Sequence, residues 1–444
     1  MKRFIETLKN IYKIEDLRMR IGITLLYILI YRLGSFVTLP GIDPAQLANL
    51  KNQASGGLLG LIDMFSGGAF SKASIFALGI MPYITASIVI QLLGMAVPYF
   101  QRLQKEGESG RRKINQITRY LTVIILIFQS SAYLTNLHYQ LPGGAFAMKG
   151  AMFTFSSIVI LTAGSMFIMW LGERITDRGI GNGISLIIMI GIIARLPLAF
   201  VQELGSRLNQ GGGLIVLVVE IVILFFIFVA SILLVQGVRR IPVQYAKRIV
   251  GNKQYGGVRQ YIPLKVNAAG VMPIIFAQAI MMVPISIAQF SSAESMQGFA
   301  ATFSNIKGVW YNLILFLLVV AFTFFYTAIT VNPTQMAEDM KKNGGFIPGI
   351  KPGKRTVEFL DTIMSRITLP GSIFLGIVTI LPAFAMILGV SQQFALFYGG
   401  TSLLILVGVV LDTLQQIESH LLMRHYDGLM KSGRVKGRAG GNMI

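Results

Sequence analysis

The residues that could carry out catalysis in this chain are few and poorly placed. The sequence contains no cysteine, which excludes a cysteine nucleophile, thiolate metal sites and disulfides. His420 and His425 are five residues apart, whereas two metal ligands on one helical face lie four apart. His138 is distant from both in the sequence. We therefore predict no metal site and no cofactor.

Two short motifs suggest enzymes. GESG at 107–110 matches the serine motif of intramembrane proteases, but RRK follows at once and Ser109 needs to lie at membrane depth. GIKPGKR at 349–355 resembles a phosphate loop, yet its glycine spacing is one residue short. Arg355 also stands where a magnesium-binding Ser or Thr belongs. No enzymatic activity is predicted, and a protease acting through Ser109 is kept as an alternative.

Glu220 is the one acid well inside a long apolar stretch. A buried ionisable residue within a membrane is a functional candidate, and proton-coupled transporters use such residues together with a partner. The sequence offers no partner opposite Glu220. A secondary transporter is therefore the second alternative, and contact with interfacial water would explain Glu220 without any coupling role.

The elements that must position such residues are membrane helices. Hydrophobic residues make up 54% of the 444 positions and charged residues only 13%. Apolar runs of roughly 20 residues recur along the chain, which is the length that a helix needs to cross the hydrocarbon. The ten predicted spans lie at 21–39, 75–97, 120–137, 153–171, 180–200, 214–235, 268–290, 309–331, 367–390 and 394–417.

The distribution of lysine and arginine predicts the orientation. Of 39 such residues, six lie in segments predicted outside and Arg32 lies within the first span. Because cytoplasmic loops carry the positive excess, both termini are predicted to be cytoplasmic. The net charge of +20 then follows largely from topology and favours contact with anionic lipids.

One apolar segment, LLGLIDMFSGGAF at 58–70, is about half the length needed to cross a membrane. It could enter from the outside and return, or lie flat in the interface. The re-entrant interpretation implies a cavity, since irregular backbone at membrane depth must be buried in protein or face water. Gly67 and Gly68 would supply the turn.

Three long segments, 101–119, 236–265 and 332–366, are predicted to be cytoplasmic loops. The last contains GGFIPGIKPGKR, whose glycines and prolines predict a rigid, protruding hairpin or turn. Loops of this kind favour a docking platform over a solute transporter.

Several positions within the spans have ordinary interpretations. Ile80, Ile84 and Ile88 recur at four-residue spacing, which is typical of a lipid-facing stripe. Ile184 and Ile188 repeat that spacing after GIGNGIS, whose glycines permit close helix packing. Polar residues in or near the spans commonly form hydrogen bonds between neighbouring helices. One of them could instead cap the start of a helix. They are Thr85, Gln91 and the possible cap Asn267.

Long stretches of the chain resemble the SecY family, which forms the central subunit of the bacterial protein-conducting channel. The resemblance covers nearly the whole chain and is carried by six segments in the family's order. They are FSGGAFSKASIFALGIMPYITASIVIQLL, KEGESGRRKINQITRY, MWLGERITDRGIGNGISLII, PLKVNAAGVMPIIFA, FIPGIKPG and FYGGTSLLI.

The resemblance implies an all-α membrane protein of ten transmembrane helices in two pseudo-symmetric inverted five-helix halves with a re-entrant plug helix. The halves would be 1–205 and 206–444, with the plug at about 56–70. It assigns to the plug Leu58, Leu61, Met64, Phe65, Ser66, Gly67 and Gly68. It assigns to a constricting pore ring Ile80, Ile84, Ile184, Ile188, Ile275 and Ile405. Isoleucine offers no ligands to replace an ion's hydration shell, so such a ring would seal against ions.

The resemblance also implies a lateral gate to lipid and a set of partners. Thr85, Gln91 and Asn267 map to the gate. Partners would be SecE and SecG, the SecA ATPase, the ribosome, signal sequences and nascent polypeptides, in the bacterial cytoplasmic (inner) membrane. The partner-binding positions are Arg239, Arg240, Lys247, Arg248 and Lys351. Lys351 stands where the family commonly has arginine, and an ammonium cannot reproduce bidentate guanidinium contacts.

Overall fold

The chain is built mainly from long helices. The computed structural model describes residues 14–47, 63–141, 145–146, 150–210, 213–245, 248–250, 253–255, 259–289 and 305–431. Contacts divide the chain into two compact units, one comprising residues up to Arg195 together with those from Val409 onward, the other Leu196–Gly408.

The first unit holds the helices of the amino-terminal part. They are α1 (Glu15–Gly34), α2 (Met81–Ala96), α3 (Pro98–Lys105), α4 (Glu108–Gln140), α5 (Ala151–Arg178) and α6 (Gly183–Ile193). A short 3-10 helix, Pro44–Leu47, lies in the connection after α1.

The second unit contains helices and short strands. In chain order these are α7 (Leu196–Gln210), α8 (Gly213–Gln236), β1 (Val238–Tyr245), β2 (Arg248–Val250), β3 (Lys253–Tyr255), β4 (Arg259–Lys265), α9 (Met272–Gln289), α10 (Val309–Thr330), α11 (Pro333–Lys342), β5 (Gly345–Phe346), α12 (Lys354–Ile387) and α13 (Gln392–Ala395). The last helix, α14 (Gly400–Lys431), begins in this unit and continues into the first.

The helical membrane class predicted from the sequence is confirmed. Within the described ranges, seven helical segments are long and apolar enough to cross a membrane, and the bent pair of α2 and α3 makes an eighth if counted as one span. The helix α1 overlaps the first predicted span but carries charged residues at both ends. The count of ten spans stays a prediction.

The segment 101–119, predicted to be a cytoplasmic loop, is mostly helical. Polar helix extends beyond the apolar span: α4 begins at Glu108, twelve residues before the predicted span. Its first turn has an ion pair between Arg112 and Glu108 at 2.7 Å, the spacing that supports an exposed helix end.

Close helix packing at GIGNGIS is confirmed. A Cβ at Gly183 would overlap the carbonyl oxygen of Gly172 on α5, so the two backbones meet directly. Asn182 caps α6 by accepting a hydrogen bond from the Ser185 amide at 3.3 Å. The side-chain oxygens of Thr24, Thr176 and Gln416 accept the amides of Ile180, Gly183 and Gly181.

A small antiparallel sheet was not predicted from the sequence. Its order is β4-β1-β5, and Val238 pairs with Lys265 at the start of the β1–β4 ladder. Ile241 and Val243 of β1 point into a core shared with α11 and the start of α12. The predicted turn GGFIPGIKPGKR supplies β5 and then turns into α12. The segments 236–265 and 332–366 therefore share one hydrophobic core.

Candidate functional site

The segment 63–80, between α1 and α2, carries the described part of the short apolar stretch. Beyond Phe65 it forms successive turns rather than the predicted helix. Gly67 and Gly68 have φ of +65° and +88°, so the predicted glycine turn is confirmed. Met64, Phe65 and Ser66 are buried, while Leu58 and Leu61 lie outside the described residues.

Side chains from surrounding helices hold this segment through its main chain. The Tyr31 hydroxyl donates to the carbonyl of Ser66 at 3.2 Å, and Arg32 Nη1 donates to that of Gly67 at 2.8 Å. On α4, the Tyr133 hydroxyl donates to the Phe70 carbonyl at 2.9 Å. The Ser66 and Phe70 carbonyls also accept the Ala69 and Ala73 amides at 3.3 and 3.2 Å, so each tyrosine adds a second donor to a carbonyl that the turn already uses. Buried polar groups of the main chain are thereby kept paired, and leaving them without partners would be costly.

The segment rests on α6 by backbone contact. A Cβ placed at Gly191 would lie 2.9 Å from the Phe65 carbonyl oxygen and 3.2 Å from the Gly67 amide nitrogen. A real Cβ almost never comes that close, so glycine is required on α6 for the segment to sit where it does.

An ion pair also joins the segment to the break between α6 and α7. Asp63 is fully buried, and its Oδ1 accepts the Ser71 amide at 2.8 Å. Its Oδ2 accepts from Arg195 Nη2. Sequence reasoning missed this pair, although a lone acid in LLGLIDMFSGG and an arginine directly after IIMIGIIA are each unusual enough to have marked it.

A second buried charge cluster lies in the other unit. Arg207 on α7 donates to Glu203 at 2.9 Å and also pairs with Glu220 on α8. Glu203 Oε2 accepts the Ser391 amide at 2.8 Å, and the Tyr398 hydroxyl donates to the Glu220 carbonyl at 2.9 Å. The prediction that Glu220 lacks a partner is wrong. Arg207 lies beyond the predicted span 180–200, but α7 continues past that apolar window and carries Arg207 to Glu220.

Two similar proteins are described as protein translocase subunit SecY. The one from Streptomyces galbus is 44% identical over 437 residues, covering 95% of this chain and 98% of the relative. The one from Thermus thermophilus is 43% identical over 433 residues, covering 96% and 98%. The profile of the SecY family matches residues 74–414. The chain belongs to the SecY family.

Solved structures agree in fold. A structure described as that of a protein conducting channel has a TM-score of 0.58 at 18% identity, covering 90% of this chain and 92% of its own. A structure from work on the SecY plug domain, described as stabilising the closed state and maintaining a membrane seal, has a TM-score of 0.59 with the same identity and coverage. Sec61 in a canine ribosome–channel complex has a TM-score of 0.57 at 17% identity, covering 90% and 92%.

The residues predicted to form a pore ring lie mostly near the starts of helices. Ile80 is the N-cap residue of α2 and Ile84 is in its first turn. Ile184 and Ile188 lie one turn apart near the start of α6, where Ile184 contacts Gly172. In the second unit, Ile275 is in the first turn of α9 and Ile405 is buried near the start of α14.

The residues predicted to belong to a lateral gate differ in burial. Thr85 is exposed, and its hydroxyl donates to the Met81 carbonyl at 3.1 Å; Gln91 is half-buried on α2. Asn267 precedes α9 by five residues, so its interpretation as a cap of that helix is wrong. The helix starts later than the apolar pattern suggested. Asn267 Oδ1 is buried and has no hydrogen-bond partner among the described residues.

Four of the five predicted partner-binding residues lie among the described residues. Arg239 and Arg240 are exposed on β1, opposite Leu264 and Pro263 of β4. Lys351 is exposed in the turn before α12. Arg248 is in β2, and Lys247 lies outside the described residues.

Proposed function

We propose that this multi-pass membrane protein is the channel-forming subunit of a protein translocase. It passes unfolded secretory polypeptides across the membrane and releases apolar segments sideways into lipid. The observation that carries the proposal is the packing of a turn-forming segment against Gly191 of α6, the helix that bears Ile184 and Ile188, in a chain of the SecY family.

The pore is proposed to be passive. Ile80, Ile84, Ile184, Ile188, Ile275 and Ile405 form its constriction, which excludes hydrated ions because isoleucine supplies no ligands. The plug comprises 56–70, and Thr85, Gln91 and Asn267 belong to the gate. A gate held by hydrogen bonds of roughly 0.6 to 2 kcal/mol each yields to an apolar helix that buries methylenes at about 0.8 kcal/mol each.

The sheet is proposed as the docking surface for the energy source. Arg239 and Arg240 are exposed on one strand, which suits contact with phosphates of ribosomal RNA. SecA, SecE, SecG and anionic lipids are the other proposed partners. The protein is proposed to lie in the bacterial inner membrane with both termini in the cytoplasm. Its two five-helix halves are proposed to divide at residue 205.

A crosslinking experiment tests this function. A photoreactive residue is placed at Ile184 or Ile275, and a secretory chain stalled during export is irradiated in membrane vesicles. Crosslinks to the stalled chain are expected at both positions. The control position is Ile215 on α8, whose side chain is 79% exposed on an apolar helix. Equal crosslinking at Ile215, or none at Ile184 and Ile275, would refute the proposal.

The transporter alternative is favoured only by the burial of Glu220. The contacts of Glu220 with Arg207 and Tyr398 explain that burial as a structural cluster. Solute uptake that is saturable and lost in Glu220→Gln would reverse this conclusion.

A further inference from the structure

Asp63 is the one residue among 63–71 whose side chain forms an ion pair with a residue outside the segment, Arg195 in the turn between α6 and α7. The other described polar anchors, Tyr31, Arg32 and Tyr133, all reach main-chain carbonyls. Those contacts are available to almost any sequence with the same backbone. The contact of Asp63 with Arg195 requires these two side chains.

The two carboxylate oxygens of Asp63 have separate roles. Oδ1 accepts the Ser71 amide and so closes the turn on itself, while Oδ2 accepts from Arg195 and fixes that turn to the α6–α7 break. The guanidinium also covers Gly68, since a Cβ at that position would lie 3.7 Å from Arg195 Nε. The ion pair thus couples the internal shape of the turn to its position on the helices.

Burial makes the pair sensitive to opening. The Asp63 side chain is 0% exposed and that of Arg195 is 18% exposed. Attraction between opposite charges is strong where water is excluded, and a buried charge that loses its partner is strongly destabilised. When the segment moves away, both charges gain water. Loss of either charge therefore penalises the closed position more than the open one.

We propose that the Asp63–Arg195 ion pair is a latch that holds segment 63–80 closed and sets how readily the channel opens to a signal sequence. This inference rests on the proposed function. Asp63 and Arg195 are then positioning residues for the plug. They also influence which substrates are accepted, because a signal sequence that binds the channel weakly can open it only if the ion pair holding the segment is weakened.

The absence of native cysteine allows a direct test. Met64 is 2% exposed, so a Met64→Cys chain offers a membrane-permeant maleimide a single thiol that is shielded while the segment is closed. The rate of labelling in membrane vesicles, relative to the amount of integrated protein, measures opening. Asp63→Asn and Arg195→Gln are each expected to raise this rate about tenfold or more.

The double variant is the decisive measurement. Replacing both partners of a buried ion pair with neutral groups is often nearly neutral, so Asp63→Asn/Arg195→Gln is expected to label more slowly than either single variant. The matched control pairs Asp63→Asn with Tyr31→Phe. Tyr31 donates to the Ser66 carbonyl, which is not a partner of the Asp63 carboxylate or of Arg195, so the two effects are expected to multiply. Multiplicative rates for Asp63 with Arg195, or single variants that label at the parent rate, would overturn the latch.

A charge-swapped chain covers the case in which the single variants fail to accumulate. If a single variant integrates into the membrane, Asp63→Arg/Arg195→Asp is expected to accumulate and to be labelled more slowly than that variant. If neither single variant accumulates, the charge-swapped chain is still expected to accumulate. Failure of the swapped chain on both counts contradicts the proposal.

The same vesicles separate this inference from the proposed function. If the parent translocates a precursor and labels faster in its presence, but the charge variants behave as the parent, the latch alone fails. If the parent translocates nothing, the proposed function fails whatever the labelling rates.

Discussion

Gly191→Ala is expected to displace segment 63–80 from α6. The new methyl carbon would lie 2.9 Å from the Phe65 carbonyl oxygen, 3.2 Å from the Gly67 nitrogen and 3.4 Å from the Gly67 Cα. All of these are main-chain atoms, so rotation of a side chain cannot relieve the contact. The segment must move by several tenths of an ångström or leave.

The magnitude follows from overpacking. An extra methyl in a well-packed core costs about 1 to 3 kcal/mol, which corresponds to an increase of roughly 5- to 150-fold in the open population. Alanine also favours helix over glycine by about 1 kcal/mol, so α6 itself is expected to remain folded. The perturbation therefore acts on the contact between segment and helix.

The assay is thiol labelling of Met64→Cys together with ion conductance of the vesicles. Both are expected to rise in Gly191→Ala. The control is Gly22→Ala on α1, the same substitution in a helix where a Cβ meets nothing within 4 Å. If Gly191→Ala labels no faster than Gly22→Ala, the segment does not rest on α6 and the reasoning is refuted.

Three further outcomes are expected. Tyr133→Phe removes one of two donors to the Phe70 carbonyl, the Ala73 amide at 3.2 Å being the other, at a cost of about 0.5 to 1.5 kcal/mol, and lowers the thermal unfolding temperature in detergent; an unchanged temperature would contradict this. Arg207→Met leaves two buried carboxylates without their partner and is expected to lower the free energy of unfolding by about 3 to 5 kcal/mol. Glu220→Gln is expected to destabilise the protein less and to leave export nearly unchanged; a larger loss of stability in Glu220→Gln than in Arg207→Met would argue against the cluster. Arg240→Ala reduces by about one the slope of log ribosome affinity against log salt concentration, and an unaltered slope would place the phosphate contacts elsewhere.

Local patterns made several features predictable. Gly67 and Gly68 predicted a turn because glycine alone adopts positive φ without strain, and GIGNGIS predicted close packing because it lacks side-chain bulk on one face. Apolar length located the helices. In contrast, the polar extension of α4 carries no apolar pattern, so its start at Glu108 was missed.

Features that depend on distant pairing could not be read from the sequence. Asp63 and Arg195 are 132 residues apart, and neither position alone indicates its partner. The sequence did not indicate Arg207 as the partner of Glu220, because the predicted span ends at residue 200, seven residues before Arg207. The β1–β4 ladder pairs two strands that are separated along the chain. In β1 the alternation of apolar and polar residues that indicates a strand is broken by Pro242 between Ile241 and Val243. Only the fold brings these residues together.

The hydrophobic core beneath the sheet has a mechanical consequence. The β1–β4 ribbon is closed at its base by the Val266 amide, which donates to the Gly237 carbonyl at 2.9 Å. A Cβ at Gly371 of α12 would lie 3.0 Å from the carbonyl oxygen of that same Val266. Ile241 and Leu264 belong to the same hydrophobic core as residues of α11 and α12, so the segments 236–265 and 332–366 are packed together as one rigid element. Force applied to either segment is therefore expected to reach both the α8–β1 junction and the middle of α12, so the two segments would move as one body.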